Sequence, residues 1–144
     1  MSVYFFDTSA LVKRYYHEAG TEQVDTLIEG DNTIVITSLS VIEIASAFRR
    51  KYNRGELTRD EVDGLLTHFF EEALETFQLL PLEESFLEFS FELILEDDLR
   101  TLDSLQLSAA LSLPNETELI FVCADSDLVA TAKGYGLETI NPAE

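Results

Sequence analysis

Apolar residues run unbroken from Val3 to Phe6 and stop at Asp7. Similar short runs recur at 33–37 (TIVIT), about 77–80, 118–124 (ELIFVCA) and 137–140, and each reads as a strand. Between them the period of the apolar positions changes. Val41, Ile42, Ile44, Ala45, Ala47 and Phe48 recur at helical spacing, as do Leu65, Leu66, Phe69 and Phe70. Helices are predicted over 9–18, 21–30, 40–53, 59–76, 83–97, 102–112 and 126–134. TRDE at 58–61 has the form of a capping box, and Gly134 and Gly136 punctuate the end of the last helix. Strands alternating with helices define an α/β layer fold with a central, mainly parallel sheet of about five strands. No repeat, low-complexity tract or linker rich in Pro and Gly interrupts the pattern, so a single domain over 1–144 is expected.

Composition narrows the class. The 144 residues are 46% apolar, enough to build one good core, which excludes a disordered chain. No run approaches the roughly 18 apolar residues of a membrane span. No basic leader precedes the first strand, and the single cysteine, Cys123, lies in an apolar run as a small buried hydrophobe. The expectation is a cytoplasmic protein with no disulfide framework and no membrane partner.

Charge changes the picture. There are 28 acidic residues against 9 Lys and Arg, a formal net charge of −19. Such a field suits solubility in a saline cytoplasm, and it also suits a carboxylate pocket for divalent ions. It repels nucleic acid unless cations are locally concentrated or metal ions intervene. The few cations are indeed clustered. Arg49, Arg50, Lys51, Arg54 and Arg59 fall close together, Lys13 and Arg14 follow Asp7, and Arg100 precedes Asp103. Arg49, Arg50, Arg54, Lys13 and Arg100 are therefore candidate phosphate contacts, although residues 49–51 equally suit a helix C-terminus.

The acids at element junctions carry the chemistry. Asp7 ends the first strand, and Asp125 ends the fourth with Asp127 two residues on. Glu43 and Asp103 are placed in the first turns of predicted helices. Each has an ordinary alternative. Asp7 and Asp125 suit helix caps, Ser40 and Glu43 suit a capping box, and Asp103 behind a Thr101 cap complements a helix dipole. Taken together they point elsewhere. In open α/β sheets ligands bind outside the carboxyl ends of the strands, where strand ends and helix N-termini meet. Four converging carboxylates repel one another unless a cation joins them, and oxygen-only donors favour Mg²⁺ or Mn²⁺. His17 and His68 lie on predicted helices without ligand spacing.

The segments FFDTSALVKRY, SLSVIEIASAF, LRTLDSLQLSAAL and FVCADSDLVATAKGYGLETINP, in this order, resemble the PIN-domain ribonucleases. They are most similar to the VapC-type toxins of bacterial and archaeal toxin–antitoxin pairs. The resemblance implies a three-layer α/β/α fold in which Asp7, Glu43, Asp103 and Asp125 are catalytic and hold the metal. Ser9 falls where the family has a small hydroxyl residue near the metal, and Asp127 matches a less regular accessory acid. It further implies hydrolysis of RNA phosphodiesters, a homodimer, and inhibition by a small co-encoded antitoxin. The acidic socket suits a basic arm of that partner, with Arg best fitted to it. Two other readings stay open. One is a non-catalytic interaction module of the same fold. The other is a haloacid-dehalogenase-like phosphatase, which needs a second Asp where this chain has Ser9.

Overall fold

The computed structural model describes residues 2–114 and 118–144. Five strands form one sheet: β1 (Val3–Phe6), β2 (Thr33–Thr37), β3 (Phe77–Leu80), β4 (Leu119–Val122) and β5 (Glu138–Ile140). Their order is β3-β2-β1-β4-β5, and every pairing is parallel. Phe5 lies opposite Val35 on one side and Phe121 on the other. Parallel neighbours require crossovers, and the chain supplies helices for them. These are α1 (Thr8–Leu11), α2 (Thr21–Glu29), α3 (Ser38–Asn53), α4 (Arg59–Glu75), α5 (Glu84–Asp97), α6 (Thr101–Leu111) and α7 (Ser126–Gly134).

Alternation along the strands builds two cores. Phe6, Ile34, Ile36 and Val122 face a layer made by α1 to α4, where Leu11, Ile28, Ile44, Phe48 and Phe69 are buried. Phe5, Val35, Phe121 and Cys123 face the opposite layer, where α5 to α7 bury Phe86, Leu93, Leu107 and Leu128. Each such side chain contributes roughly 1.5–3 kcal/mol on leaving water. The result is the expected α/β/α sandwich. Because β1 is central and the chain winds first toward β3 and then back to β4, strand order reverses beside the carboxyl end of β1. That is where such folds open a crevice.

Three local expectations are corrected. The predicted helix over 9–18 is only α1 followed by a 3-10 turn at Val12–Arg14. Thr21 breaks it: its hydroxyl donates to the Lys13 carbonyl at 2.8 Å and accepts the Glu18 amide at 3.0 Å, diverting groups that a longer helix would use. α3 begins at Ser38, and its cap is Thr37, whose Oγ1 accepts the Ser40 amide at 3.3 Å. Ser40 and Glu43 therefore form no capping box, and Glu43 lies beyond the first turn. At α6 the cap position is Arg100, with no side-chain capping bond, and Thr101 is already helical. The capping box of Thr58 and Glu61 is present as expected.

Two apolar stripes are also narrower than their sequences suggest. Ile44 and Phe48 are buried, whereas Ile42 on the same helix is 70% exposed; Phe69 is buried and Phe70 is exposed. On α5, Leu87, Phe91, Ile94 and Leu95 form an exposed stripe flanked by the exposed Glu88, Glu92 and Glu96.

Candidate active site

A cleft of about 710 Å³ opens at the carboxyl edge of the sheet. Asp7, Glu43, Asp103 and Asp125 all line it, together with Ser9, Arg50 and Arg100. Four separate elements deliver the four acids. Asp7 follows β1 directly, the second turn of α3 holds Glu43, the first turn of α6 holds Asp103, and Asp125 leads into α7.

Asp7 is 5% exposed. It caps α1, and its Oδ2 accepts from the Ser9 hydroxyl at 2.6 Å and from the Ser9 amide at 3.2 Å. Ser9 Oγ in turn accepts the Ala124 amide at 3.0 Å, tying the end of β1 to the segment after β4. Burial pushes the Asp7 carboxyl up to about 6; the Ser9 hydrogen bond opposes this, and the charges of Glu43 and Asp103 add to it. The Cys123 thiol lies 3.6 Å from Asp7 Oδ2, and burial, with Asp7 beside it, pushes the thiol far above its usual range. It is a neutral sulfhydryl in this environment.

Glu43 is aimed by residues that the sequence reading left out. Its Oε1 accepts from Gln106 Nε2 at 2.8 Å and from Thr8 Oγ1 at 2.9 Å. Gln106 is wholly buried, and its Nε2 also approaches Ser40 Oγ at 2.9 Å and Thr8 Oγ1 at 3.3 Å. Thr37 Oγ1 closes the network by donating to Gln106 Oε1 at 3.1 Å. The only hint in the sequence is that Gln106 stands three residues after Asp103, on the same helix face, between Leu105 and Leu107.

Asp125 divides its two oxygens. Oδ1 accepts the amides of Asp127 and Leu128 at 3.0 and 3.3 Å, capping α7. Oδ2 receives Arg100 Nη2 at 3.3 Å. Arg100 also reaches Asp103 Oδ2, through Nε at 3.2 Å and Nη2 at 3.1 Å. Asp127 is exposed in the first turn of α7 and is not part of the cleft lining.

The candidate phosphate contacts separate into three groups. Arg50 and Arg100 line the cleft. Arg49 is stacked over the Tyr52 ring at 4.8 Å, and Arg54 pairs with Glu56 at 3.2 Å; neither lines it. Lys13 is contrary to expectation. It is 6% exposed and paired with Glu18 at 3.1 Å, because the 3-10 turn rolls it under the chain rather than toward the acids.

The donor set is chemically suited to a hard divalent ion: the cleft is lined by oxygens from four carboxylates and by no histidine. Among the described residues, no three Asp, Glu, His or Cys side chains stand close enough to form a ready-made ion cage. A cation binding here would have to draw the acids inward.

A doubly wound parallel sheet with acids gathered at its switch point defines the general class, an α/β protein with an anionic cleft. The family model of the PIN domain matches residues 4–134, and the chain belongs to that family. Among solved structures, it is similar to a toxin–antitoxin complex from Klebsiella pneumoniae, with 18% identity, a TM-score of 0.65, and coverage of 97% of this chain and 98% of the other. PAE2754 from Pyrobaculum aerophilum gives 18% identity and a TM-score of 0.69, covering 96% and 89%. VapBC2 from Rickettsia felis, bound to a DNA fragment from its promoter, gives 16% identity and 0.66, covering 96% and 98%. No curated protein sequence matches the chain.

Proposed function

We propose that this protein is a divalent-metal-dependent endoribonuclease and the toxin of a toxin–antitoxin pair. The observation that carries the reading is the delivery of Asp7, Glu43, Asp103 and Asp125 into one cleft of a PIN-domain chain. These four residues would hold Mg²⁺ or Mn²⁺, which supplies an acidified water and offsets charge on the leaving oxygen of a phosphodiester. The protein's own part is positioning. Ser9 holds Asp7, Gln106 and Thr8 aim Glu43, and the cap on α7 leaves Asp125 Oδ2 facing the cleft. Ser9, bonded to Asp7 and lining the cleft, is an accessory metal position, and Asp127, outside the lining, is a secondary one. Arg50, on the rim, is placed for a substrate phosphate, and Arg49 and Arg54 extend that surface further out.

The toxin reading draws on the neighbours whose structures are toxin–antitoxin complexes. A co-encoded antitoxin would insert a basic arm among the acids, and Leu39, Ile42 and Leu102 on the cleft walls offer apolar surface beside them. No described helix is long and apolar enough to cross a membrane, and we place the protein in the cytoplasm. A homodimer would use the α5 stripe. Its glutamate rail makes self-association stronger at high salt, whereas capture of a basic arm weakens there.

The test is cleavage of an unpaired RNA oligonucleotide by purified protein with Mg²⁺ or Mn²⁺, and with a chelator. Asp7→Asn and Asp103→Asn are expected to lower the rate at least about a hundredfold while the circular dichroism spectrum is unchanged. Full activity in either variant, or in chelator, rejects the metal site. Turnover of a small phosphomonoester in place of RNA would move the protein to the phosphatase class, against which Ser9 stands where a second Asp is needed.

A further inference from the structure

The position of Arg100 conflicts with the proposed chemistry. Its guanidinium lies between Asp103 and Asp125, within 3.1 Å of the first and 3.3 Å of the second. A positive charge from the chain itself therefore stands where two proposed metal ligands would need to close on an ion. Those ligands come from different elements, α6 and the start of α7, so the guanidinium spans a gap that the backbone does not otherwise bridge.

The side chain is also free to leave. It is 79% exposed, caps α6 only with its backbone, and among the described residues its salt-bridge partners are these two carboxylates. Exposed ion pairs of this kind contribute little to stability, so releasing them costs little. By contrast, the other cleft cation, Arg50, donates to Ser46 Oγ at 2.9 Å on its own helix.

We propose that Arg100 is a built-in counter-ion that competes with the divalent cation: it bridges Asp103 and Asp125 in the metal-free protein and must swing out before both can ligate. The inference rests on the carboxylate metal site proposed above and adds a cost to filling it. The apparent affinity for the ion falls by the fraction of molecules in which Arg100 is already out, so a clasp closed about 90% of the time weakens binding about tenfold. The exchange also has a direction. Once displaced, the guanidinium remains tethered at the first residue before α6, beside the ion, with its five donors unpaired and available to a phosphate oxygen. Metal loading would thereby convert an internal ion pair into an anion-binding arm. This places Arg100 as a positioning residue that links occupation of the site to its ability to take substrate.

The experiment is calorimetric titration of Mn²⁺, and separately Mg²⁺, into the full chain and its Arg100→Gln, Arg100→Lys and Arg50→Gln variants. Arg100→Gln is expected to bind the ion about three- to tenfold more tightly than the unmodified protein. Arg100→Lys should fall between them, because an ammonium cannot span both carboxylates with a planar fork. Arg50→Gln should shift affinity by less than about twofold, since it removes the same charge from the same cleft without opening a clasp. As an independent readout, the Arg100 Nε–H nuclear magnetic resonance signal should move with Mg²⁺ at the calorimetric midpoint. Unchanged or weaker binding by Arg100→Gln overturns the proposal, as does an equal gain in Arg50→Gln, which would be a general charge effect. Binding of no divalent ion by any of the four proteins rejects the carboxylate site itself, and the clasp with it.

Discussion

A carboxylate as buried as Asp7, facing Glu43 and Asp103, holds its proton longer in the folded protein than in the unfolded chain. The unfolded group releases it near 3.8 and the folded one near 6. Across that window the folded state binds more protons, so this group's contribution to stability falls as pH rises through it. The two-unit difference corresponds to about 3 kcal/mol above pH 6. Asp7→Asn, which keeps a capping side chain, is therefore expected to melt higher than the parent at pH 7.5 without metal, with the gap closing as pH falls below 3.8. A variant that melts lower at pH 7.5 contradicts this assignment of strain. Asp7 and Asp125 were legible in the sequence because each interrupts an apolar run, and an interrupted run marks a strand end. Gln106 was not. A single buried amide leaves no period, and its role depends on Thr8, Ser40 and Glu43, distant in the chain. Lys13 lies buried against Glu18, because adjacency to an acid in sequence does not fix which way a four-residue helix turns its next side chain.

At the scale of elements, the start of α3 and the face of α6 form one cooperative unit. Thr37 caps α3 and also holds Gln106, so it couples helix initiation to the aim of Glu43. Thr37→Val removes both bonds, and a loss of about 1–2 kcal/mol in denaturant unfolding is expected. Gln106→Leu should cost a similar amount. The double variant should cost clearly less than the sum, because each single change already strands the other's partner. Simple additivity would show that the network is not shared. The strands, the parallel sheet and most helices could be read from periodicity alone. The start of α3 could not, since Ser40 and Glu43 carry a capping signature that Thr37 pre-empts by reaching the Ser40 amide first.

For the whole molecule, charge sets the limits of stability. Arg14 gathers Glu72, Asp25 and Glu29 into one cluster, with a forked pair of bonds to Glu72 at 2.9 and 3.0 Å. Burial alone would raise the Glu72 carboxyl, but Arg14 outweighs it and leaves the group below its usual 4.5. A lowered carboxylate stabilises the fold above its unfolded value, and that contribution is lost as pH falls through the folded one. Glu72→Gln should therefore be less stable than the parent near neutral pH, with the gap closing below about pH 4 in an acid titration followed by circular dichroism. A gap that persists at low pH would assign the effect to packing. The formal charge of −19 predicts a second response, a rise in melting temperature with added NaCl, since salt screens repulsion among the acids.

The strand order has a consequence for synthesis. β1 lies between β2 and β4, so the strand ending in Asp7 gains its second neighbour only when Leu119–Val122 arrives. A ribosome that has delivered residues 1–114 has made β1, β2, β3 and three of the four acids. Neither Asp125 nor the Ala124 amide that anchors Ser9 yet exists. For a protein proposed to cut RNA, this order of emergence leaves the proposed site one carboxylate short until nearly all of the chain has been translated.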